Sequence, residues 1–263
     1  MLNKIKLILF VFYASSLFAK APILIYYGDK ASNEYLNHFK VVVLDPEHFN
    51  NVFNLKSVKF GYLSIGEVQK NRSYFNFVKK LGILKGENPN WRGSFYVNLI
   101  SGKWQEFVIN YLIPSITSKG YNGIFLDTVD SLLANNYKNL VIKFINSIKR
   151  RYPALKIFMN RGLGIVNKVN VDAVLLESTI TSYNFKKKKY YFFKNVAKFK
   201  IPENIEIYSV DYWCLNDYQS IKRIYKKALK FGYKPLVTDI SLYKLPALIY
   251  DEDAKKFILL SEN

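Results

Sequence analysis

Gly120-Tyr121-Asn122-Gly123-Ile124-Phe125-Leu126-Asp127-Thr128-Val129-Asp130 is the stretch on which the fold turns. A Gly- and Asn-bearing turn leads into a short, unbroken apolar run that stops at a carboxylate. The run is too short for a helix and does not alternate, which predicts a strand buried on both faces of a parallel sheet. Seven further runs read the same way: Ile23–Tyr27, Val41–Asp45, Val58–Ser64, Ala154–Asn160, Asp172–Glu177, Ile205–Asp211 and Pro235–Asp239. Amphipathic helical patterns lie between several of them. One stripe is Trp104, Phe107, Val108, Tyr111 and Leu112. A second is Tyr137, Val141, Phe144, Ile145 and Ile148, ahead of the basic end Lys149-Arg150-Arg151, and a third is Ile221, Ile224, Tyr225 and Ala228. Such spacings put one apolar face on each helix, and a cationic end suits a helix C-terminus. Parallel strands need crossovers of this kind. Eight units in one chain predict an α/β fold, a single (β/α)8 (TIM) barrel, with an open doubly wound sheet as the alternative. The longest gap, Ser64 to Gly123, carries Gly82, Gly86, Pro89, Gly93 and Gly102 and predicts a long insertion between strands 3 and 4.

Composition narrows the function. Half of the 263 residues are hydrophobic and 17% aromatic, too apolar for a disordered chain. The 39 Lys and Arg against 20 Asp and Glu give a formal charge of +19. That excess invites an acidic partner, but a Lys-, Asn-, Ile-, Tyr- and Phe-rich, Ala-poor chain also follows from an AT-rich genome. With one cysteine, Cys214, there is no internal disulfide framework and no multi-cysteine metal site. Cys214 reads as a small buried hydrophobe. His38 and His48 leave little for a zinc site or a histidine-based triad and read as structural. Walker A, Gly-x-Ser-x-Gly and complete dinucleotide-binding signatures are missing, and Gly162-Leu163-Gly164 lacks its third glycine.

At the N-terminus Lys4 and Lys6 precede an apolar stretch from Leu7 to Phe18, followed by Ala19. A basic start, a short apolar core and a small residue predict a secretory signal peptide over 1–19, with the working domain at 20–263. Cleavage after Ala19 is preferred over Ala21, which would set Pro22 beside the cut. The stretch is shorter than the ~20 residues a spanning helix needs, so an uncleaved anchor is the weaker alternative. The expected product is exported, periplasmic or extracellular, without stable membrane insertion, and monomeric.

The strand ends carry the chemistry. At or just beyond them stand Asp29, Asp45, Glu67, Asp127, Asn160, Glu177, Asp211 and Asp239, seven of them carboxylates drawn from only 20 in the chain. In a barrel these ends meet on one face, where active sites form. One Asp at a strand end is ordinary capping, but seven at one end of a low-dielectric core need a cation, donors or a function. Paired carboxylates with scarce His and Cys fit glycoside hydrolysis. Ca²⁺ or Mg²⁺ binding is the second reading, without a metal-spacing motif behind it. No cofactor and no metal are expected.

Several segments together resemble one family: Tyr26-Tyr27-Gly28, Val43-Leu44-Asp45-Pro46, Gly61 to Glu67, Gly120 to Asp130, Met159-Asn160-Arg161-Gly162, Leu175-Leu176-Glu177-Ser178 and Val210-Asp211-Tyr212-Trp213. They look like the endo-α-1,4-polygalactosaminidases of glycoside-hydrolase family 114, in order and over nearly the whole mature chain. The resemblance implies a (β/α)8 barrel that cleaves galactosamine-containing polysaccharide with two carboxylates at the ends of strands 4 and 6. Those positions are Asp127, as nucleophile or base, and Glu177, as general acid/base. Glu177 follows the apolar Ala173-Val174-Leu175-Leu176, so burial should raise its pKa.

Around the pair, Tyr27, Asp45, Glu67, Asp130, Asn160, Arg161, Asp211 and Tyr212 are the substrate-binding candidates. Asp45, Glu67 and Asp211 could receive sugar hydroxyls or an ammonium, Arg161 could keep neighbouring acids ionised, and Tyr212 and Trp213 could offer a flat face to a pyranose. Lys186-Lys187-Lys188-Lys189, with Lys194, Lys198 and Lys200 after it, interleaves with Tyr190, Tyr191, Phe192 and Phe193. This reads as a loop entering a helix with a solvated basic face. No nucleic-acid motif accompanies it, and no nucleic-acid partner is expected. The competing function is a non-catalytic or weakly catalytic barrel that binds an anionic envelope polymer through its basic surface.

Overall fold

The computed structural model describes residues 20–196 and 199–260. The expected signal peptide, and Lys198 of the basic segment, fall outside them. Eight strands run parallel in sequence order: β1 (Ala21–Tyr26), β2 (Phe39–Leu44), β3 (Val58–Ser64), β4 (Gly123–Asp127), β5 (Lys156–Asn160), β6 (Ala173–Glu177), β7 (Glu206–Tyr212) and β8 (Lys234–Thr238). β8 returns to lie beside β1. A backbone bond from Tyr27 N–H to the Leu242 carbonyl (2.8 Å) ties their ends across the seam. The sheet is a nearly closed barrel, which rules out the open doubly wound alternative.

The unbroken apolar runs are explained by two cores. Ile23, Ile25, Val41, Val43, Phe60, Phe125, Phe158, Leu175, Tyr208, Val210 and Leu236 point inward and fill the barrel. Their sequence neighbours Leu24, Val42, Ile124, Ile157, Val174 and Val237 point outward against helices and loops. Strand side chains alternate between faces, so a strand that serves both cores reads as continuously apolar. Space at the bottom is tight. A Cβ on Gly123 would lie 2.3 Å from the Lys156 carbonyl oxygen and 2.8 Å from the Phe60 ring.

The helical layer is less regular than the strands. Lys138–Arg151 and Tyr218–Lys230 bury their predicted stripes, with Val141, Phe144, Ile145 and Ile148 on the first and Ile221, Ile224, Tyr225 and Ala228 on the second. In the helical stretch 103–117 the stripe holds at Trp104 and Val108 and fails at Tyr111, which is 64% exposed. A π turn over Val108–Leu112 shifts the register there, and the buried face continues at Ile113 and Ile116. β1 is followed only by the short helix Asn33–Leu36, and β8 by an antiparallel hairpin of Leu248–Asp251 with Lys256–Leu259.

The β3–β4 insertion is a folded unit. Glu67–Gln69, Ser94–Val97 and Leu84–Glu87 form a three-stranded antiparallel sheet, with the helix Phe75–Lys80 beside it. The basic segment after β6 departs from the expected helix. Thr181–Asn184 pairs antiparallel with Lys189–Phe192, and residues 185–188 make the turn. Aromatic and Thr-rich flanks favour strands, and the lysines occupy the solvated tip. No helix among the described residues is long and apolar enough to cross a membrane.

Candidate active site

Inward positions alternate, so the inner core residues place the next inward residue of each strand at its C-terminal end. Those residues are Tyr27, Asp45, Tyr62, Asp127, Asn160, Glu177, Tyr212 and Thr238. Eight polar side chains therefore cap an apolar barrel, and six of them interlock. Tyr62 Oη donates to Asp127 Oδ2 (2.9 Å), and Tyr212 Oη donates to Glu177 Oε1 (2.6 Å). Asn160 Nδ2 donates to both acids, at 2.8 Å to Asp127 Oδ1 and 3.3 Å to Glu177 Oε2. Tyr27 packs edge-on against Tyr62, with ring centroids 4.7 Å apart.

One nitrogen bonded to both acids limits their separation. Lying 2.8 and 3.3 Å from it, the two oxygens can be no more than 6.1 Å apart. The Asn160 amide holds the pair together. Its Oδ1 is buried without a partner.

Burial raises Glu177 above its ordinary range, the charge of Asp127 adds to that, and the Tyr212 and Asn160 hydrogen bonds and the Arg161 charge oppose it. Burial and the nearby carboxylates push Tyr27, Tyr62 and Tyr212 well above the usual phenol range, so all three remain protonated donors. The arrangement sets two carboxyl groups, one of them with its pKa raised by burial, on opposite sides of a shared amide.

The backbone is strained where these strands end. Thr128, Arg161 and Ser178 follow Asp127, Asn160 and Glu177, and all three adopt positive φ, at 61°, 58° and 56°. Non-glycine residues avoid this region, a β-branched threonine most of all. Such strain costs about 1–3 kcal/mol per residue and clusters at functional sites. Thr128 is held by its hydroxyl, which accepts from Gly66 N–H (2.8 Å) and bonds Ser64 Oγ (2.8 Å).

The other predicted carboxylates, Asp29 apart, are engaged by the protein. Asp45 is 4% exposed and takes both its oxygens to Arg72 Nη1, at 2.9 and 2.7 Å. Glu67, 2% exposed, accepts from Asn88, Ser94 and Ser131 and anchors the insertion. Asp211 accepts from Thr179 Oγ1 and from the backbone N–H groups of Ile180 and Thr181, which fixes the base of the hairpin after β6. Asp239 accepts from Ser241 and Lys244 N–H. Asp29 is exposed. At the rim, Asp130 pairs with Arg161 (3.0 Å) and accepts from Gly162 N–H, both side chains about half exposed.

Trp213 packs in tilted contact with Phe192 and Tyr190 and donates to Asp217, so it belongs to the hairpin's packing. His48 Nδ1 donates to the Tyr27 carbonyl (2.8 Å), a structural role as expected. Cys214, read as buried, is exposed in the loop beyond β7.

Two residues of the site escaped the sequence reading. Tyr62 lies in inward register two positions after Phe60, and that alternation was a usable signal. Arg72 comes from the insertion, sits 5.2 Å over the Tyr62 ring and binds Asp45. Nothing local in its sequence marks it.

Comparison with known proteins agrees with this architecture. The glycoside hydrolase domain of PelA from Pseudomonas aeruginosa is 20% identical, with a TM-score of 0.73 over 85% of this chain and 96% of that one. Ega3 of Aspergillus fumigatus, solved in complex with galactosamine, is 14% identical with a TM-score of 0.59, over 86% of this chain and 92% of that one. At these identities the likeness is one of fold. An uncharacterized protein of Thermotoga maritima is 25% identical over 154 residues, and one of Methanocaldococcus jannaschii 34% over 79. The matched stretches span 46% and 22% of those relatives' own lengths. The model of glycoside-hydrolase family GH114 matches residues 19–255. An eight-stranded barrel with paired carboxylates on its C-terminal face, matched to that family over nearly its whole length, belongs to glycoside-hydrolase family 114.

Proposed function

We propose that this chain hydrolyses galactosamine-containing polysaccharide, α-1,4-linked as the family resemblance implies, with Asp127 as nucleophile and Glu177 as general acid/base. The observation that carries the reading is the single Asn160 amide bound to both carboxyl groups. The two oxygens bonded to that amide are at most 6.1 Å apart, a short spacing in keeping with the ~5–5.5 Å of retaining enzymes rather than the ~6.5–9.5 Å of inverting ones. It supports retention. Asp127 attacks the anomeric carbon while Glu177 gives its proton to the leaving glycosidic oxygen. Glu177, now ionised, then takes a proton from the water that releases the sugar from Asp127.

Tyr27, Asn160 and Tyr212 face the reacting sugar, and Asp130 and Arg161 line the rim. Asp45, Glu67 and Asp211 act behind them as scaffold, because protein donors already occupy their oxygens. The enzyme works outside the cytoplasm, with residues 1–19 as its leader, and as a monomer. Asp127→Asn and Glu177→Gln, made separately and assayed by reducing-end release from a galactosamine polymer, should each abolish turnover. Near-normal turnover by either would overturn the assignment. NMR of the first product formed should show the anomeric configuration of the substrate.

A second reading has its own observation. Lys222, Arg223, Lys226, Lys227 and Lys230 lie on one helix and make no ion pair among the described residues. Binding of an anionic polymer that weakens with salt and survives loss of both acids would favour it.

A further inference from the structure

We infer that the cavity beside β8, where a regular barrel would carry its last helix, is a second sugar-binding site. It holds units of the same galactosamine-containing chain, distant from the bond being cut. The inference rests on the glycosidase reading above and extends it to a surface outside the pit.

In a regular (β/α)8 barrel a helix follows every strand and covers the groove to the next. β8 has none: residues 239–247 form a loop, and the hairpin Leu248–Asp251 with Lys256–Leu259 comes after it. A cavity of about 1130 Å³ remains between this loop, the ends of β7 and β1, and the hairpin. Pockets that enclose drug-sized ligands measure about 300–1,000 Å³, so this one has room for more than one sugar ring.

The cavity opens on the same face as the catalytic pair. Tyr26 precedes Tyr27, Trp213 follows Tyr212 and Asp239 follows Thr238, so three of the eight capping residues have a neighbour in its lining. The alternation that aims the capping residues inward turns these neighbours outward. Between pit and cavity stands the loop 239–244. Its Ile240 and Leu242 pack on the inner core, while Asp239, Ser241, Tyr243 and Lys244 line the cavity. Leu242 holds a positive φ of 60°. The Asp239 carboxylate fixes that shape by accepting from Ser241 and Lys244 N–H, and the Leu242 carbonyl accepts from Tyr27 N–H. Strain of this kind clusters at functional sites, as it does at Thr128, Arg161 and Ser178.

The lining has the chemistry of a carbohydrate site. Tyr190 and Trp213 lie in its wall with ring centroids 5.7 Å apart, and Tyr243 presents a ring that is 55% exposed. Aromatic faces of this kind pack against the apolar C–H side of a pyranose. The side chains of Asn216, Lys30 and Lys244 have no hydrogen bond or ion pair to protein among the described residues, which leaves them for sugar hydroxyls. Lys30 and Lys244 are offset within the lining by Glu34 and Asp239. The cavity is therefore fitted to ring faces and hydroxyls rather than to one sign of charge.

The test compares a tetramer and a dodecamer prepared from one α-1,4-galactosamine polymer, by kcat/KM from reducing-end release. In Tyr243→Ala and in Asn216→Ala the ratio of dodecamer to tetramer kcat/KM should fall about fivefold, through KM rather than kcat. Cys214, the one cysteine of the chain, is exposed in the cavity lining and gives a readout independent of turnover. In Glu177→Gln, which should leave the chain uncut, saturating dodecamer should slow maleimide labelling of Cys214 several-fold and saturating tetramer should not. Labelling slowed by neither oligomer or by both alike, or a ratio unmoved in both alanine variants, would overturn the inference and leave the glycosidase reading standing. Cleavage of neither oligomer by the unmodified enzyme would overturn the reading itself, and the inference with it.

Discussion

Removing a single oxygen, by Tyr212→Phe, asks whether Glu177 is the acid. Tyr212 is 3% exposed and its hydroxyl is 2.6 Å from Glu177 Oε1. Phenylalanine keeps the ring and its packing. A hydrogen bond to an ionised carboxylate is worth about 1.5–3 kcal/mol and one to a neutral acid about 0.5–1.5, so the phenol favours the ionised form by about 1–1.5 kcal/mol. That corresponds to about one pKa unit. In the native site this bond opposes the burial that raises Glu177. Its loss therefore lets the pKa climb further. A general acid acts in its protonated form, so the basic limb of the kcat/KM–pH profile reports its pKa. In Tyr212→Phe that limb should move upward by about one unit. Tyr62→Phe removes a comparable hydroxyl from Asp127 and should lower kcat while leaving the basic limb in place. A basic limb that stays put or moves down in Tyr212→Phe would show that Glu177 is not the titrating acid.

Other expectations follow from the same contacts. Glu177→Gln should alter stability as well as activity. A carboxyl raised by burial favours folding while protonated and loses that contribution as pH rises through its folded value. The melting temperature of the Gln variant should accordingly gain on wild type as pH increases from 4 to 8, and a constant difference would refute the burial argument. Arg72→Met leaves Asp45 buried and unpaired, a loss of about 3–5 kcal/mol that thermal or urea unfolding would show; a change below about 1 kcal/mol would mean that water reaches the pair. Gly123→Ala drives a methyl into the Lys156 carbonyl and the Phe60 ring, and should destabilise by about 1–3 kcal/mol in the same measurement. Ser178→Gly relieves a positive φ and should stabilise by up to about 1 kcal/mol, with kcat falling as the Glu177 strand end loosens.

The strands were legible because their chemistry is local. A run such as Ile124-Phe125-Leu126 must be buried on both sides wherever it goes, and five or six residues without helical periodicity leave only a strand. The helices at 138–151 and 218–230 were legible for the same reason, since a stripe needs no knowledge of its partner. Failures came where geometry is set from a distance. The register slip at Tyr111 depends on a π turn, which no residue type announces. The segment after β6 looked helical through its lysines, but Asp211, some 30 residues on, fixes Ile180 and Thr181 and starts a hairpin instead. The insertion was visible as a gap. Its sheet, and the Arg72 it sends over Tyr62, were not.

Which carboxylates do chemistry is a harder question than where they stand, and composition answered it only halfway. At the level of sequence, Asp45, Glu67, Asp127, Glu177 and Asp211 are equivalent: each ends or closely follows a strand. What separates them is how fully the protein has occupied their oxygens. Asp45, Glu67 and Asp211 have their full complement of protein donors and almost no exposed surface, so they spend their charge on holding loops. Asp127 and Glu177 keep fewer bonds, share one amide, and are followed by residues in a backbone region that Thr and Ser avoid. Strain of that kind persists only where surrounding structure enforces it. It falls on the ends of β4, β5 and β6, the three strands that carry Asp127, Asn160 and Glu177, and the ends of β2 and β7, with their more deeply buried acids, show none of it. The same distinction limits the stability arguments. Removing a scaffold carboxylate should lower the melting temperature and reduce activity indirectly, whereas removing Asp127 or Glu177 should stop the reaction without lowering the melting temperature near neutral pH, so melting temperature and kcat measured together would sort the two classes.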